Sequence, residues 1–144
     1  MGKKRIVKQK GGGMNAELKQ RALSRATKKK ISVGVLTVRA TYNNTMLSLA
    51  DKAGNILTWS SSGALGFKGA KKGTPFAAAK IGELMAEKAG IMGMKEADIV
   101  VRGVGAGRES AIRSFASKGI AIASIRDMTP VPHNGPKPPK PRRV

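Results

Sequence analysis

A glycine-rich turn between a predicted strand and a predicted helix holds the residues with the clearest chemical potential. It reads Arg102-Gly103-Val104-Gly105-Ala106-Gly107-Arg108-Glu109-Ser110. Glycines allow a ligand to come close to the backbone, and the N–H groups and dipole at the start of a helix attract anions. Arg108 adds a donor for charge-assisted hydrogen bonds. The pattern therefore favours a phosphate group as the ligand. The candidate residues are Gly103, Gly105, Gly107 and Arg108.

Two other interpretations of this turn stay open. A G-x-G pair after a strand also begins the dinucleotide-binding fingerprint, but that fingerprint needs a third glycine at position 108, where this chain has Arg108. The turn can also be a purely structural tight turn. Because the fingerprint fails on spacing, a phosphate of RNA is favoured over a nucleotide, and no cofactor is predicted.

A second glycine-rich segment, residues 60–75, carries three lysines and leads into the first long predicted helix. It is not a P-loop, since no Gly-Lys-Ser or Gly-Lys-Thr run follows a glycine at the required spacing. Lys68, Lys71 and Lys72 are therefore predicted to contact the phosphates of a nucleic acid. The alternative is an ordinary mobile loop whose lysines stay solvated.

Three aspartates near predicted strand ends raise the alternative of a metal-dependent nuclease. They are Asp51, Asp98 and Asp127. Two-metal hydrolysis needs carboxylates that converge on ions about 4 Å apart, whereas Asp51 lies in a predicted hairpin turn. The chain has one histidine, His133, and no cysteine, and a lone histidine is neither a triad nor a metal site. No catalytic residue and no metal ligand is predicted, and His133 is interpreted as a loop or RNA-contacting residue.

The hydropathy pattern predicts the elements that position these residues. Alternating and β-branched segments predict strands at residues 31–38, 45–50, 56–60, 98–102 and 120–126. A first helix is predicted from the N-cap Thr74 and Pro75 to a stop at Gly90, and a second at residues 109–117. The order β-β-β-α-β-α-β predicts a mixed five-stranded β-sheet with flanking helices, in a three-layer α/β domain over residues 31–127.

Aromatic residues make up only 3% of the chain, too few for a surface that binds by stacking bases on rings. Tyr42 and Trp59 are therefore predicted to pack in the core or against the hairpin. Phosphate contact and shape must then carry most of the binding.

Both ends of the chain are strongly basic and lack a core-forming pattern. Residues 1–30 hold eleven basic residues and one acidic residue, and residues 128–144 hold four basic residues and no acidic one. The first segment is predicted to be a disordered extension whose residues 16–26 become helical on docking, and the second a Pro-rich extended arm. Both are expected to order only with RNA. The candidate contacts here are Lys28, Lys29, Lys30, Lys137, Lys140, Arg142 and Arg143.

The formal net charge of +20 over 144 residues restricts the class of partner. Self-repulsion of this size disfavours a compact chain unless a polyanion offsets it, so nucleic acid is the leading partner and an anionic membrane surface the second. Solvated tails that only aid solubility are the alternative, although acidic residues serve solubility as well. No apolar run approaches the roughly 20 residues of a membrane span, and the basic N-terminus lacks the apolar region of a secretory signal.

Several motifs resemble those of one known family, the universal small-subunit ribosomal protein number eleven. The motifs are residues 103–113 in the glycine turn, 66–69, 74–78, 127–135, 138–140 and 142–144. They follow the family's order over residues 30–144, and the Asn134-Gly135 form of the tail resembles bacterial or organellar members. The glycine turn departs from the family pattern at Val104 and Ala106, where prolines are common.

The resemblance implies a ribonuclease-H-like α/β fold without its catalysis. It implies a structural role in the platform of the small ribosomal subunit, near the messenger-RNA exit, beside small-subunit ribosomal RNA and proteins seven and eighteen. Arg113, His133 and Asn134 are implied as RNA contacts. The implied location is the cytoplasmic ribosome, or that of an organellar matrix or stroma. The alternatives are an RNA-processing enzyme on the same fold and a nucleotide-binding module.

Overall fold

The computed structural model describes residues 16–25, 29–141 and 143. Its helices are α1 (Ala16–Ser24), α2 (Pro75–Ile91) and α3 (Gly107–Ala116), with short 3-10 turns at Gly63–Leu65 and Gly69–Gly73. Its strands are β1 (Val33–Ala40), β2 (Thr45–Ala50), β3 (Ile56–Ser61), β4 (Glu96–Arg102) and β5 (Ala121–Asp127). The predicted order of strands and helices is confirmed, with boundaries displaced by one or two residues.

The five strands form one mixed sheet in the order β3-β2-β1-β4-β5. β2 runs antiparallel to β1 and β3, whereas β1, β4 and β5 are parallel to one another. The β2–β3 hairpin closes through Asp51, whose carboxylate accepts hydrogen bonds from the backbone N–H of Asn55 at 2.9 Å and from its side-chain amide at 3.1 Å. The mixed five-stranded sheet expected from the sequence is therefore confirmed.

The helices α2 and α3 cover one face of this sheet, and the other face carries no helix among the described residues. Leu36 of β1 and Leu47 of β2 are fully buried on the covered face, whereas Met46 and Trp59, on the other face, are exposed. The chain crosses from β3 to β4 and from β4 to β5 in the same direction, and right-handed crossovers then place both connecting helices on one side. The described residues thus form two layers where three were expected.

The hydrophobic core lies between the sheet and the two covering helices. Phe115 of α3 and Ile81 of α2 are fully buried beside the inward leucines of β1 and β2. The two helices cross closely at Gly82, because a Cβ built there would lie 2.6 Å from the carbonyl oxygen of Ala111. This contact fixes α3 against α2, and with it the positions of both helix starts.

The helix α2 begins where the sequence predicts. The Thr74 hydroxyl oxygen accepts a hydrogen bond from the backbone N–H of Ala77 at 3.4 Å, and Pro75 occupies the first turn, where its missing N–H costs little. The predicted stop at Gly90 is one residue early. The helix continues to Ile91 and is followed by Gly93, whose φ of 76° is the left-handed conformation that often ends helices.

The helix α1 packs against α2. Ala22 and Leu23 pack on the core, and Lys19 Nζ donates to Glu87 Oε1 at 2.8 Å. A helix at residues 16–26 was expected only after docking on RNA. In this position the apolar side of α1 packs against the core of the domain. The rest of the extension, residues 1–15 and 26–28, lies outside the described residues.

The two aromatic residues assigned to the core or hairpin packing are placed differently. Tyr42 is 79% exposed in the loop between β1 and β2, and Trp59 is 57% exposed on β3. Thr58 and Ser60 on either side of Trp59 are buried, so the indole side chain extends from the helix-free face. Neither side chain therefore lies in the core, and Trp59 stands on the hairpin opposite Ser48 of β2.

Candidate nucleic-acid interface

The two glycine-rich segments meet at one end of the sheet, around the loop between β1 and β2. A Cβ built on Gly73 would lie 2.2 Å from the carbonyl oxygen of Tyr42, and one built on Gly105 would lie 2.3 Å from that of Thr41. The N–H of Gly105 also donates to the carbonyl oxygen of Ala40 at 3.0 Å. Any side chain at these glycines would push the segments apart, so glycine is what allows them to converge.

We name this region, residues 41–44, 66–75 and 102–108, the basic end of the molecule. It lies at the carboxyl ends of the parallel strands β1, β4 and β5 and at the amino ends of α2 and α3. Helix amino ends carry partial positive charge. The basic end therefore combines two helix dipoles with the lysines of the intervening loop.

The lysine-bearing loop is held in shape by hydroxyl groups. Ser62 Oγ donates to the carbonyl oxygen of Lys72 at 2.8 Å, and Thr74 Oγ1 donates to that of Lys71 at 2.7 Å. Lys68 and Lys71 are exposed and Lys72 is half-buried. None of the three forms an ion pair with an acidic residue in the described part of the chain. Their ammonium groups are thus available to a ligand while the backbone that carries them is fixed.

The start of α3 lies deep in the basic end. A Cβ on Gly107 would lie 2.5 Å from Thr45 Oγ1 and 2.7 Å from Ala78 Cβ, so this glycine allows α3 to begin directly against β2 and α2. The N-cap residue, Ala106, offers no side-chain acceptor to the first turn. Gly103, at the other end of the turn, has a φ of 97°, which favours glycine. The three predicted glycines therefore each meet a geometric requirement.

The side chain of Arg108, predicted to contact a phosphate, binds two groups of the protein itself. Its guanidinium donates to the carbonyl oxygen of Gly103 at 2.7 Å and forms an ion pair with Asp127. Two of its donors thus bind protein groups, because the turn brings a carbonyl and a carboxylate within reach of the first turn of α3. Arg108 closes the glycine turn onto the end of β5 and positions that turn.

Asp127 joins the glycine turn to the C-terminal arm. Its carboxylate accepts hydrogen bonds from Thr129 Oγ1 at 2.6 Å and from the Thr129 N–H at 3.0 Å, and Thr129 Oγ1 accepts one from the N–H of Gly103 at 3.2 Å. Hydrogen bonds from Thr129, and then from Arg108, lower the pKa of Asp127 to about 2. The arm is therefore anchored at the basic end before it leaves the domain.

The C-terminal arm is exposed along its described length. All residues from 131 to 141 are exposed, as is Arg143, and Asn134 has a φ of 51°. The predicted contacts in this stretch are His133, Asn134, Lys137, Lys140 and Arg143. Arg142 lies outside the described residues. The arm thus presents its side chains to solvent from the end of β5.

The remaining candidate cations do not join the basic end. Lys28 lies outside the described residues, Lys30 is exposed, and Lys29 Nζ contacts Asp51 Oδ2 at 3.2 Å. These lysines precede β1, whose length at ~3.3 Å per residue sets them about 25 Å from the basic end. Arg113 is exposed on α3 about 9 Å along the helix from its start. The structure therefore separates the N-terminal lysines from the other candidates.

Two exposed aromatic residues that the sequence did not assign to the interface lie at the basic end. One is Tyr42, and the other is Phe76, 58% exposed in the first turn of α2. The Phe76 ring lies edge-on to Phe67 with centroids 6.1 Å apart, and Lys80 Nζ is 5.7 Å from its centroid. Phe76 directly follows the Thr74-Pro75 cap in the sequence, so its place at the start of a helix was the signal available.

Two arginines beside the basic end were also missed. Arg39 of β1 and Arg102 of β4 are opposite each other in the strand register, and both are exposed. Neither forms an ion pair with a described acidic residue. Like charges placed opposite each other destabilise a sheet, and an anion beside them would relieve the repulsion. They extend the cationic surface onto the helix-free face.

The three aspartates considered for catalysis are held in separate hydrogen bonds. Asp51 binds Asn55, Asp98 Oδ1 accepts from Ser124 Oγ at 2.5 Å, and Asp127 binds Thr129. Over residues 16–25, 29–141 and 143, no three His, Cys, Asp or Glu side chains are grouped to hold a metal ion. Within the same residues, no helix has both the length and the hydropathy needed to cross a membrane.

Comparison with known protein families gives a match over most of the chain. Residues 34–143 match the family model of ribosomal protein S11. The matched region contains the whole sheet except the first residue of β1, both covering helices, both glycine-rich segments and most of the C-terminal arm. The resemblance drawn from the motifs is therefore confirmed: the chain belongs to the ribosomal protein S11 family, and it is a structural protein of the small ribosomal subunit, with ribosomal RNA and other ribosomal proteins as partners.

Proposed function

We propose that the chain binds small-subunit ribosomal RNA in the platform, near the messenger-RNA exit, and there supports assembly and translation without enzymatic activity. Its proposed protein neighbours are small-subunit proteins seven and eighteen, and its proposed location is the cytoplasmic ribosome. The observation that carries the RNA-binding proposal is the convergence of both glycine-rich segments on the loop between β1 and β2.

The proposed mode of binding rests on backbone phosphates. Lysines in a fixed loop, the positive ends of two helices and an exposed cationic arm all contact phosphates without reading a base sequence. The glycines let RNA approach the backbone of the turn closely. Tyr42, exposed at the tip of its loop, adds a ring on which one unstacked base can lie. The chain thus fixes the shape of an RNA segment.

The incorporation of the chain into the subunit is tested by sedimentation. A tagged copy is expressed, and the lysate is separated on gradients at moderate and at high salt. We expect the protein to co-migrate with the small subunit at both. RNA crosslinking of that fraction then maps the contacts and tests the platform position. Migration as a free protein would contradict the proposal and favour an enzyme or a nucleotide-binding module.

The basic end itself is tested with two matched double variants. Lys71→Ala with Lys72→Ala removes two charges from the basic end, and Lys52→Ala with Lys118→Ala removes two exposed charges from the opposite end. The affinity for a small-subunit RNA fragment is measured over a range of salt. We expect only the first pair to weaken binding and to reduce the slope of log affinity against log salt by about 1.5 to 2. Equal losses would mean that the basic end is not the RNA-binding surface.

A further inference from the structure

Lys88 of α2 is a buried cation without a carboxylate partner in the described part of the chain. The residue is 3% exposed. Its Nζ donates to Thr58 Oγ1 at 3.1 Å and to the carbonyl oxygen of Trp59 at 3.4 Å. An ammonium group has three N–H donors, so two neutral oxygens neither occupy all of them nor balance the charge. Burial of an unbalanced charge is costly, which suggests that a further partner binds here.

A cavity of about 430 Å³ adjoins Lys88 between α1, α2 and β3. Arg21 of α1 and Arg25, just after that helix, line it together with Lys88, and both arginines are exposed. Thr58 and Ser60 add polar atoms to the wall. No acidic side chain is among the described residues that line the cavity. Three cationic side chains therefore surround one space that is open to solvent.

The electrostatics of the cavity are unfavourable while it holds only water. Burial, and then the charge of Arg25, lower the pKa of Lys88. The acidic residue next in sequence, Glu87, does not balance this charge, because its carboxylate binds Lys19 at 2.8 Å and is not part of the lining. An anion in the cavity would offset the repulsion and occupy the remaining ammonium donor.

We propose that this cavity binds a phosphate group, held by Lys88 from within and by Arg21 and Arg25 at the entrance. Guanidinium and ammonium donors are the groups that bind phosphate most strongly in proteins. The volume exceeds that of a single phosphate and falls in the range of small-ligand sites, so a phosphate attached to a ribose also fits. The phosphate comes either from the RNA backbone or from a free phosphate compound. The site is separate from the basic end and does not depend on the proposed function.

Thermal unfolding of the full-length protein tests the proposal, with inorganic phosphate compared with chloride at equal ionic strength. We expect phosphate to raise the Tm of the wild type by several degrees, since a ligand that binds only the folded state stabilises it. Lys88→Met keeps the apolar stem and removes the charge, so it should abolish the gain. Lys118→Met, at an exposed site outside the cavity, should retain it. An equal gain in the wild type and Lys88→Met would overturn the proposal.

A second variant keeps the test decisive if Lys88→Met fails to fold. Arg25→Gln changes an exposed residue that makes no ion pair with a described acid, and it should reduce the phosphate gain without loss of the fold. An unreduced gain would exclude Arg25 from the site and overturn the proposal.

Crosslinking RNA to protein in isolated small subunits then distinguishes the two possible sources of the phosphate. A crosslink at Arg21 or Arg25, together with the phosphate gain, assigns the site to the RNA backbone. The phosphate gain without any such crosslink assigns it to a free phosphate compound. The proposed function is tested independently by incorporation into the subunit, so its failure would not be confused with failure of this site.

Discussion

The guanidinium of Arg108 lies between the carbonyl oxygen of Gly103 and the carboxylate of Asp127. In the sequence, an arginine at the start of a helix after a glycine turn indicates a phosphate contact. The folded chain offers it two acceptors, and the carboxylate is not visible in the local pattern, because Asp127 lies 19 positions away. At the residue scale, the residue type at the turn was predictable and the partner of its side chain was not.

We expect Arg108→Ala to lower the free energy of unfolding by about 1 kcal/mol, since it removes a partly buried charge-assisted hydrogen bond to Gly103. Chemical denaturation of the protein without RNA measures the change. Arg113→Ala, on the same helix and exposed, is the control and should leave stability within about 0.5 kcal/mol. Equal stability of wild type and Arg108→Ala would show that the arginine does not hold the turn.

The lowered pKa of Asp127 predicts a pH dependence of stability. Its pKa falls from the ordinary 3.8 to about 2 in the folded chain, so the unfolded state binds its proton first as the pH drops. The carboxylate therefore contributes stability above about pH 4, and this contribution is lost as the pH falls towards 2. Asp127→Asn should flatten unfolding stability against pH in that window. If the profile is unchanged, the loss of stability at low pH comes from another group, for example Asp51, whose pKa is also lowered to about 2.

At the scale of elements, the strands, the order of elements and the cap of α2 were predictable because alternation, periodicity and Thr74-Pro75 are local signals. The exposure of Trp59 and the number of layers were not, since they depend on which side of the sheet the crossovers pass. The convergence of the two glycine-rich segments was also hidden. Each segment indicates its own turn, but their meeting at the loop between β1 and β2 requires the sheet order.

The crossing of α2 and α3 gives a prediction with an internal control. Gly82→Ala would place a Cβ 2.6 Å from the Ala111 carbonyl oxygen and 3.0 Å from Ser114 Cβ, so the helices must separate. We expect a loss of about 1–3 kcal/mol in the free energy of unfolding. Gly90→Ala, on the same helix with no atom within 4 Å of its Cβ, should gain about 0.5–1 kcal/mol from helix propensity. Stabilisation by both changes, measured by denaturant unfolding, would mean that the crossing is loose.

At the scale of the whole molecule, the cations fall into separate groups. The basic end and the arm lie together at the carboxyl ends of the parallel strands, and the lysines before β1 lie at the other end of that strand. The composition alone predicts a polyanionic partner, because the net charge of +20 does not depend on where the charged residues lie in the fold. It does not predict that an RNA contacting both groups must span the domain, which follows only from the path of β1.

Replacing the four cations of the arm by glutamine tests its share of the binding. We expect the slope of log affinity against log salt to fall by about 3 to 4, since each phosphate contact releases close to one counterion. The variant keeps the prolines and the length of Lys137–Arg143, so only charge is altered. An unchanged slope, measured by titration of an RNA fragment at several salt concentrations, would mean that these side chains stay solvated in the complex.

The helix-free face of the sheet favours self-association of the chain before it binds RNA. Met46 and Trp59 are exposed there, and β5 is an edge strand that can pair with another copy. Mutual repulsion between highly charged copies keeps them apart at low salt, but screening at about 0.1 M shortens its reach to roughly 10 Å. The same ions that weaken phosphate binding therefore also favour self-association. Newly made protein in excess of its RNA is expected to aggregate as salt rises, which light scattering of the purified chain would reveal.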